Sequence, residues 1–217
     1  MPFGFGRKKD ASSEGTGAGA IVAAADVQAP RSVTFRGYTE DWRLEGQMHL
    51  AGRLLDTLNR RDAIAISDVR WAPADGTSDL EPAPGIQSMD PYDLIVVIAG
   101  PDTLAFMNED ERAAHRIHKV SFDVAFEAPP YRIVGTIHLH PGSEPDAVLD
   151  RATNMFSAVT DPDLFIGGQS IDLGGADTVL INRFYLRAVN QVDRATGEPH
   201  LRMPGQSMGG TNWTDRS

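Results

Sequence analysis

The 217-residue chain contains no cysteine. That excludes disulfides, thiolate zinc sites, cysteine-held iron–sulfur clusters and cysteine nucleophiles, and makes a cytoplasmic setting the expectation. No apolar run approaches the roughly 18 residues of a membrane-spanning helix. No apolar stretch directly follows the basic cluster at Arg7–Lys9, so a secretory signal is not expected. Lysine is scarce: between residues 31 and 193 only Lys119 occurs. The formal net charge is −10, of which residues 1–30 carry 0 and residues 194–217 carry +1, leaving −11 in between. A body that acidic lacks the basic footprint of a nucleic-acid binder, so no nucleic-acid partner is expected.

What is present falls into three parts. Residues 1–30 and 194–217 are rich in Gly, Ala, Ser and Pro without sustained periodicity and read as flexible tails. Between them the chain repeats itself. Trp42–Leu50 (WRLEGQMHL) and Tyr131–Leu139 (YRIVGTIHL) share Arg43/Arg132, Gly46/Gly135, His49/His138 and Leu50/Leu139. Upstream, SVTF (32–35) matches KVSF (119–122); downstream, LLD (54–56) matches VLD (148–150), and AISD (65–68) matches AVTD (158–161). Four blocks in the same order read as an internal duplication. The expected division is a first β-rich repeat over 31–100, a connecting helix over 101–118 with Asp102 as its N-cap, and a second repeat over 119–193.

Each copy reads as β-β-α-β-β. Strict alternation marks Trp42–Leu50 and Tyr131–Leu139 as half-buried strands. The expected core face is Val33, Phe35, Leu44, Met48 and Leu50 in one copy, and Val120, Phe122, Ile133, Ile137 and Leu139 in the other. A glycine in mid-strand at the same place in both predicts a sharp bend. Short helices are expected over Arg53–Arg61 and Asp146–Phe156, third strands over Ala63–Trp71 and Ser157–Ile166, and fourth strands over Tyr92–Ala99 and Thr178–Val189. Ala72–Pro91 reads as a long acidic loop. The fold class expected is mainly β (α+β): two duplicated, small barrel-like units in a pseudo-twofold arrangement.

The pattern aromatic-Arg-apolar-x-Gly-x-apolar-His-Leu, closing on Leu180–Leu186 (LINRFYL), resembles a bacterial small-β-barrel family of unknown function and is distantly similar to Sm-like barrels. The resemblance spans about 31–193 as two copies. It implies a compact module used for assembly or binding and carries over no catalytic residue.

Two groups of side chains are candidate sites. His115 and His118 lie three residues apart on a predicted helix; His138 and His140 lie two apart on a predicted strand. Imidazoles at such spacing can hold zinc or another divalent ion. They make a metal-dependent enzyme or metal-binding protein one alternative, and an Sm-like RNA binder a second. At the N-terminus, Phe3 and Phe5 precede Arg7, Lys8 and Lys9, which suits a docking peptide on a tether or a weak contact with an anionic membrane surface. Gly167-Gly168-Gln169-Ser170 is a turn rather than a nucleophile elbow, and Asp161-Pro162-Asp163 is first a turn signal. The leading expectation is a non-enzymatic scaffold acting in protein–protein assembly or homo-oligomerisation, with no cofactor.

Overall fold

The computed structural model describes residues 30–103, 119–152 and 154–194, with Thr196, Glu198 and Pro199. The protein is mainly β. Its first half contains strands β1 (Arg31–Tyr38) and β2 (Trp42–Leu50), helix α1 (Leu54–Asn59), β3 (Ile64–Pro73), the short β4 (Glu81–Pro82) and β5 (Ser88–Met89), a 3-10 turn at Pro91–Asp93 and β6 (Val96–Ala99). The second half contains β7 (Val120–Ala128), β8 (Tyr131–Leu139), a 3-10 turn at Pro145–Leu149, β9 (Phe156–Ile166), β10 (Gln169–Ile171), β11 (Thr178–Asn182) and β12 (Ala188–Gln191). Among the described residues, no helix is long and apolar enough to cross a membrane.

The strands hydrogen-bond as one open sheet in the order β12-β7-β8-β9-β11-β6-β1-β2-β3-β4, with β5 also on β3 and β10 also on β9. Every pairing is antiparallel. The ladder therefore runs through both halves instead of closing each into its own barrel. Its centre is the β6–β11 pair, where Leu180 faces Val97 and Ile181 faces Val96 across the ladder. Side chains alternate across a strand, and here each face meets a different core. Val96, Ile98, Val179 and Ile181 join a core built mostly from the second half. Val97, Ala99 and Leu180 join one built mostly from the first. The two halves are interlocked through this shared pair.

Gly46 and Gly135 mark the bends. Each lies opposite a bulge, between Glu45 and Gln47 against β3 and between Val134 and Thr136 against β9. The bulged partners Asp68 and Asp161 have φ of 52° and 47°, the left-handed conformation that Asp tolerates better than most residues. Glycine is required because a Cβ at either position would lie 2.9 Å from a backbone oxygen, that of Ser67 or Thr160.

The expected core faces are buried, except that Val120 and Leu139 are only partly so. Several expectations need correction. The helix expected over Asp146–Phe156 is a 3-10 turn ending at Leu149. The buried Arg183 explains this: its guanidinium donates to the carbonyls of Val148 (2.5 Å), Ala147 (2.7 Å) and Asn154 (3.4 Å). Carbonyls that an α-helix would use internally are turned to a charged donor instead. The strand expected over Thr178–Val189 is split by a turn at Asn182–Leu186, and the strand expected from Tyr92 begins at Val96 after its own turn. The loop Ala72–Pro91 contains β4 and β5. Arg43 and Arg70 anchor it through the carbonyls of Ser78 (2.5 Å) and Leu80 (2.7 Å). The connecting helix expected over 101–118 lies, from residue 104 on, outside the described residues; the Asp102 carboxylate accepts from the Thr34 N–H at 2.8 Å and so satisfies β1 beyond the end of β6. The hairpin at Gly167–Gly168, with both φ positive, is the expected turn.

Candidate interaction surface

Trp42 opens β2 and Trp71 lies near the end of β3. Leu44 pairs with Trp71, and Trp42 lies two residues before Leu44, so all three share one face of the sheet. Leu44 is buried, whereas Trp42 and Trp71 are 39% and 37% exposed. Their rings stack with centroids 4.6 Å apart and planes 17° from parallel. The core face thus continues past the edge of the core as an exposed aromatic pair. Such amphipathic anchors lose little conformational entropy when covered.

Beside the pair lies a cleft of about 370 Å³, floored by Leu44, Ile86 and Met89 and rimmed by Glu40, Asp41, Asp93 and Tyr185. Partial burial pushes the Tyr185 phenol up, with smaller contributions from the carboxylates of Asp93 and Glu40. The hydroxyl therefore stays protonated and donates to the Tyr92 carbonyl at 3.0 Å. Apolar floor and acidic rim together fit a partner offering apolar side chains and a few cations. A second hollow lies along β3 where its bulge separates β4 from β5; Ser67 there donates to Asp68 at 3.1 Å.

The end of the second half at which β8 begins is covered. Tyr131, at the position in β8 that Trp42 holds in β2, is 1% exposed. Its hydroxyl donates to the Thr39 carbonyl at 2.7 Å and its ring meets Tyr38 edge-on at 5.8 Å. Burial, reinforced by Tyr38 and Asp41, raises the Tyr131 pKa far above the ordinary phenol range. Asn182, fully buried, clamps the same junction: its Nδ2 donates to the carbonyls of Leu94 (2.8 Å) and Pro91 (3.3 Å), while its Oδ1 accepts from the Phe184 N–H at 3.0 Å.

The residues expected from sequence fare differently. His138 is exposed, with both ring nitrogens against hydroxyls, Ser121 at 2.9 Å and Thr160 at 3.0 Å. His140 lies beyond the end of β8, where its carbonyl accepts from the Ser143 N–H. His115 and His118 lie outside the described residues, as do Phe3, Phe5, Arg7, Lys8 and Lys9. No group of three or more metal-ligating side chains gathers among the described residues. Sequence reading overlooked Trp42 and Trp71 as surface anchors, although two of the chain's three tryptophans stand at or near strand ends and two acidic residues precede the first. No family model, curated protein or solved structure matches the chain.

Proposed function

We propose that the chain is a non-enzymatic protein-binding scaffold built from two copies of one β unit. In each, the last strand returns to pair with the first, β6 with β1 and β12 with β7. Matching registers support the duplication. Gly46 pairs with Phe35 as Gly135 pairs with Val124, and His49 pairs with Ser32 as His138 pairs with Ser121. Asp90 and Asn182 each accept from the N–H two residues on, that of Tyr92 or Phe184. Each turn then feeds the closing strand in the same way, Ile95 donating to Tyr38 and Arg187 to Glu127.

The observation that carries the assembly reading is the stacked, exposed Trp42–Trp71 pair above an acidic cleft. Aromatic anchors at the centre of a patch supply most of the energy of protein interfaces. The carboxylates Glu40, Asp41 and Asp93 would repel a phosphate backbone, so the partner is a protein surface. The segment holding Phe3, Phe5, Arg7, Lys8 and Lys9 supplies a second attachment in this reading. The test compares partners captured by the full-length protein with those captured by its Trp42→Ala/Trp71→Ala variant. Loss of specific protein partners from the variant is expected; an unchanged set of partners refutes the reading.

A further inference from the structure

The join between the two units is itself an interface. One unit contributes β6 and the turn before it; the other contributes β11 and the turn after it. Leu180 pairs with Val97, the Asn182 N–H donates to the Ile95 carbonyl at 2.9 Å, and Tyr131 tucks under Tyr38 and Thr39. If the units are equivalent, as the assembly reading above holds, each has one edge of each kind. One of each is used in this join, and one of each is left over.

The leftover edges can be identified by register. Met89 pairs with Ile64 on β3 as Ile181 pairs with Ser157 on β9, so β5 is the counterpart of β11. Val189 pairs with Phe126 as Val97 pairs with Gly37, so β12 is the counterpart of β6. Among the described residues β5 pairs only with β3 and β12 only with β7. In an antiparallel ladder successive residues alternate in the direction of their backbone groups. Gln87 gives its carbonyl to Ile66, so Ser88 turns its N–H and C=O away from β3. Val192 donates to Asp123, so by the same alternation Val189 turns its own away from β7. Val192 also bridges Pro199, and among the described residues Ala188–Asn190 pair with no strand other than β7, while the 3-10 turn at Pro145–Leu149 packs against β12.

We propose that these edges join between copies of the chain: β5 of one protein adds to β12 of the next, head to tail, with Ser88 opposite Val189. This rests on the duplication and assembly reading above and names its partner as a second copy. Two observations beyond the strand edges favour it. First, the exposed surface is the one the internal join covers in the other unit. Tyr131 and Leu164 are buried there, whereas their counterparts Trp42 and Trp71 are exposed at the leftover end. Second, the charges complement. Asn182 is buried in the internal join, and its counterpart Asp90 is an exposed carboxylate. The turn that Asp90 would meet on the next copy is flanked by exposed Arg151 and Arg187, the former donating to the Leu186 carbonyl at 3.3 Å. The contact uses different patches on the two copies, so repetition gives a ring or a filament and not a twofold dimer.

The absence of native cysteine makes the test clean. Gln87 and Asn190 are exposed and would be non-hydrogen-bonded neighbours across the proposed ladder, the counterparts of the Val179–Ile98 pair. Full-length Gln87→Cys and Asn190→Cys proteins, mixed and mildly oxidised, are expected to give a covalent dimer. The double variant is expected to give a ladder of higher multiples, and each single variant alone is expected to remain monomeric on a denaturing gel. Sedimentation velocity of the cysteine-free protein should show species larger than the monomer growing with concentration, and Trp42→Ala/Trp71→Ala should weaken that association ~10-fold or more. A chain that sediments as a monomer throughout, or a Gln87→Cys protein that cross-links to itself, overturns the proposal. If self-association is absent while partner capture still depends on Trp42 and Trp71, this inference fails and the scaffold reading stands. If the tryptophan variant also captures every partner, both fail.

Discussion

Gly135 offers a sharp test of the bent sheet. An alanine methyl there would lie 2.6 Å from Val159 Cγ1, 2.9 Å from the Thr160 carbonyl oxygen and 3.3 Å from Pro162 Cα. Val159 is fully buried, and the other two atoms are backbone at a bulge whose Asp161 already has a φ of 47°. None can yield without moving β9. Overpacking of this kind costs about 1–3 kcal/mol. Restricting the unfolded chain returns roughly 0.4–1 kcal/mol, so the net loss lies between about 0 and 2.6 kcal/mol and centres on ~1.3 kcal/mol. For a domain of this size that central value lowers Tm by about 3–5 °C. Gly46→Ala meets the Ser67 carbonyl oxygen at 2.9 Å but Val69 Cγ2 only at 3.4 Å, so its loss should be smaller. Gly85→Ala is the control: nothing lies within 4 Å of its Cβ, and the change should be neutral or stabilising by up to ~1 kcal/mol. Urea and thermal unfolding followed by circular dichroism measure all three. Equal stability of the Gly135→Ala and Gly85→Ala proteins would refute the account of why glycine stands at the bends.

Further outcomes follow from the junction and the tail. Arg183→Met should destabilise by about 3 kcal/mol or more, because carbonyls held by a buried charged donor lose it; a loss under ~1 kcal/mol by urea titration would contradict the role given to Arg183. Tyr131 and Tyr38 both have raised pKa values, chiefly from burial. The unfolded chain therefore loses phenolic protons near pH 10 while the folded chain keeps them. The stabilisation is complete below about pH 10 and is lost as pH rises through the folded pKa. Tyr131→Phe should lower neutral-pH stability by about 1 kcal/mol through the lost bond to Thr39 and flatten the alkaline decline; an unchanged alkaline slope would refute the assignment. Replacing Phe3 and Phe5 by alanine should leave Tm unchanged while reducing partner capture; equal capture by both proteins would show that these aromatics anchor nothing.

The strands Trp42–Leu50 and Tyr131–Leu139 were legible residue for residue, because alternation between a buried and an exposed face leaves a period-two trace that no helix imitates. The bends were legible as glycines at matching positions, since close backbone approach excludes every other side chain there. Register was not. Matching SVTF with KVSF sets Phe35 against Phe122, whereas in the ladders Gly46 pairs with Phe35 and Gly135 with Val124, two residues on. A slip of two keeps the same face buried, so hydrophobic patterning is blind to it and only cross-strand hydrogen bonds decide. Trp42 carries the parity of a core residue, and nothing local says that β2 runs past the core at that end. Whether an apolar face is covered depends on what the rest of the chain places against it. Tyr131 is covered because Tyr38 and Thr39 lie over it; Trp42 remains exposed. Likewise Asn182, one polar residue after an apolar run, became the clamp between the two halves of the chain only once folding brought the carbonyls of Pro91 and Leu94, some 90 residues away, within reach of its amide.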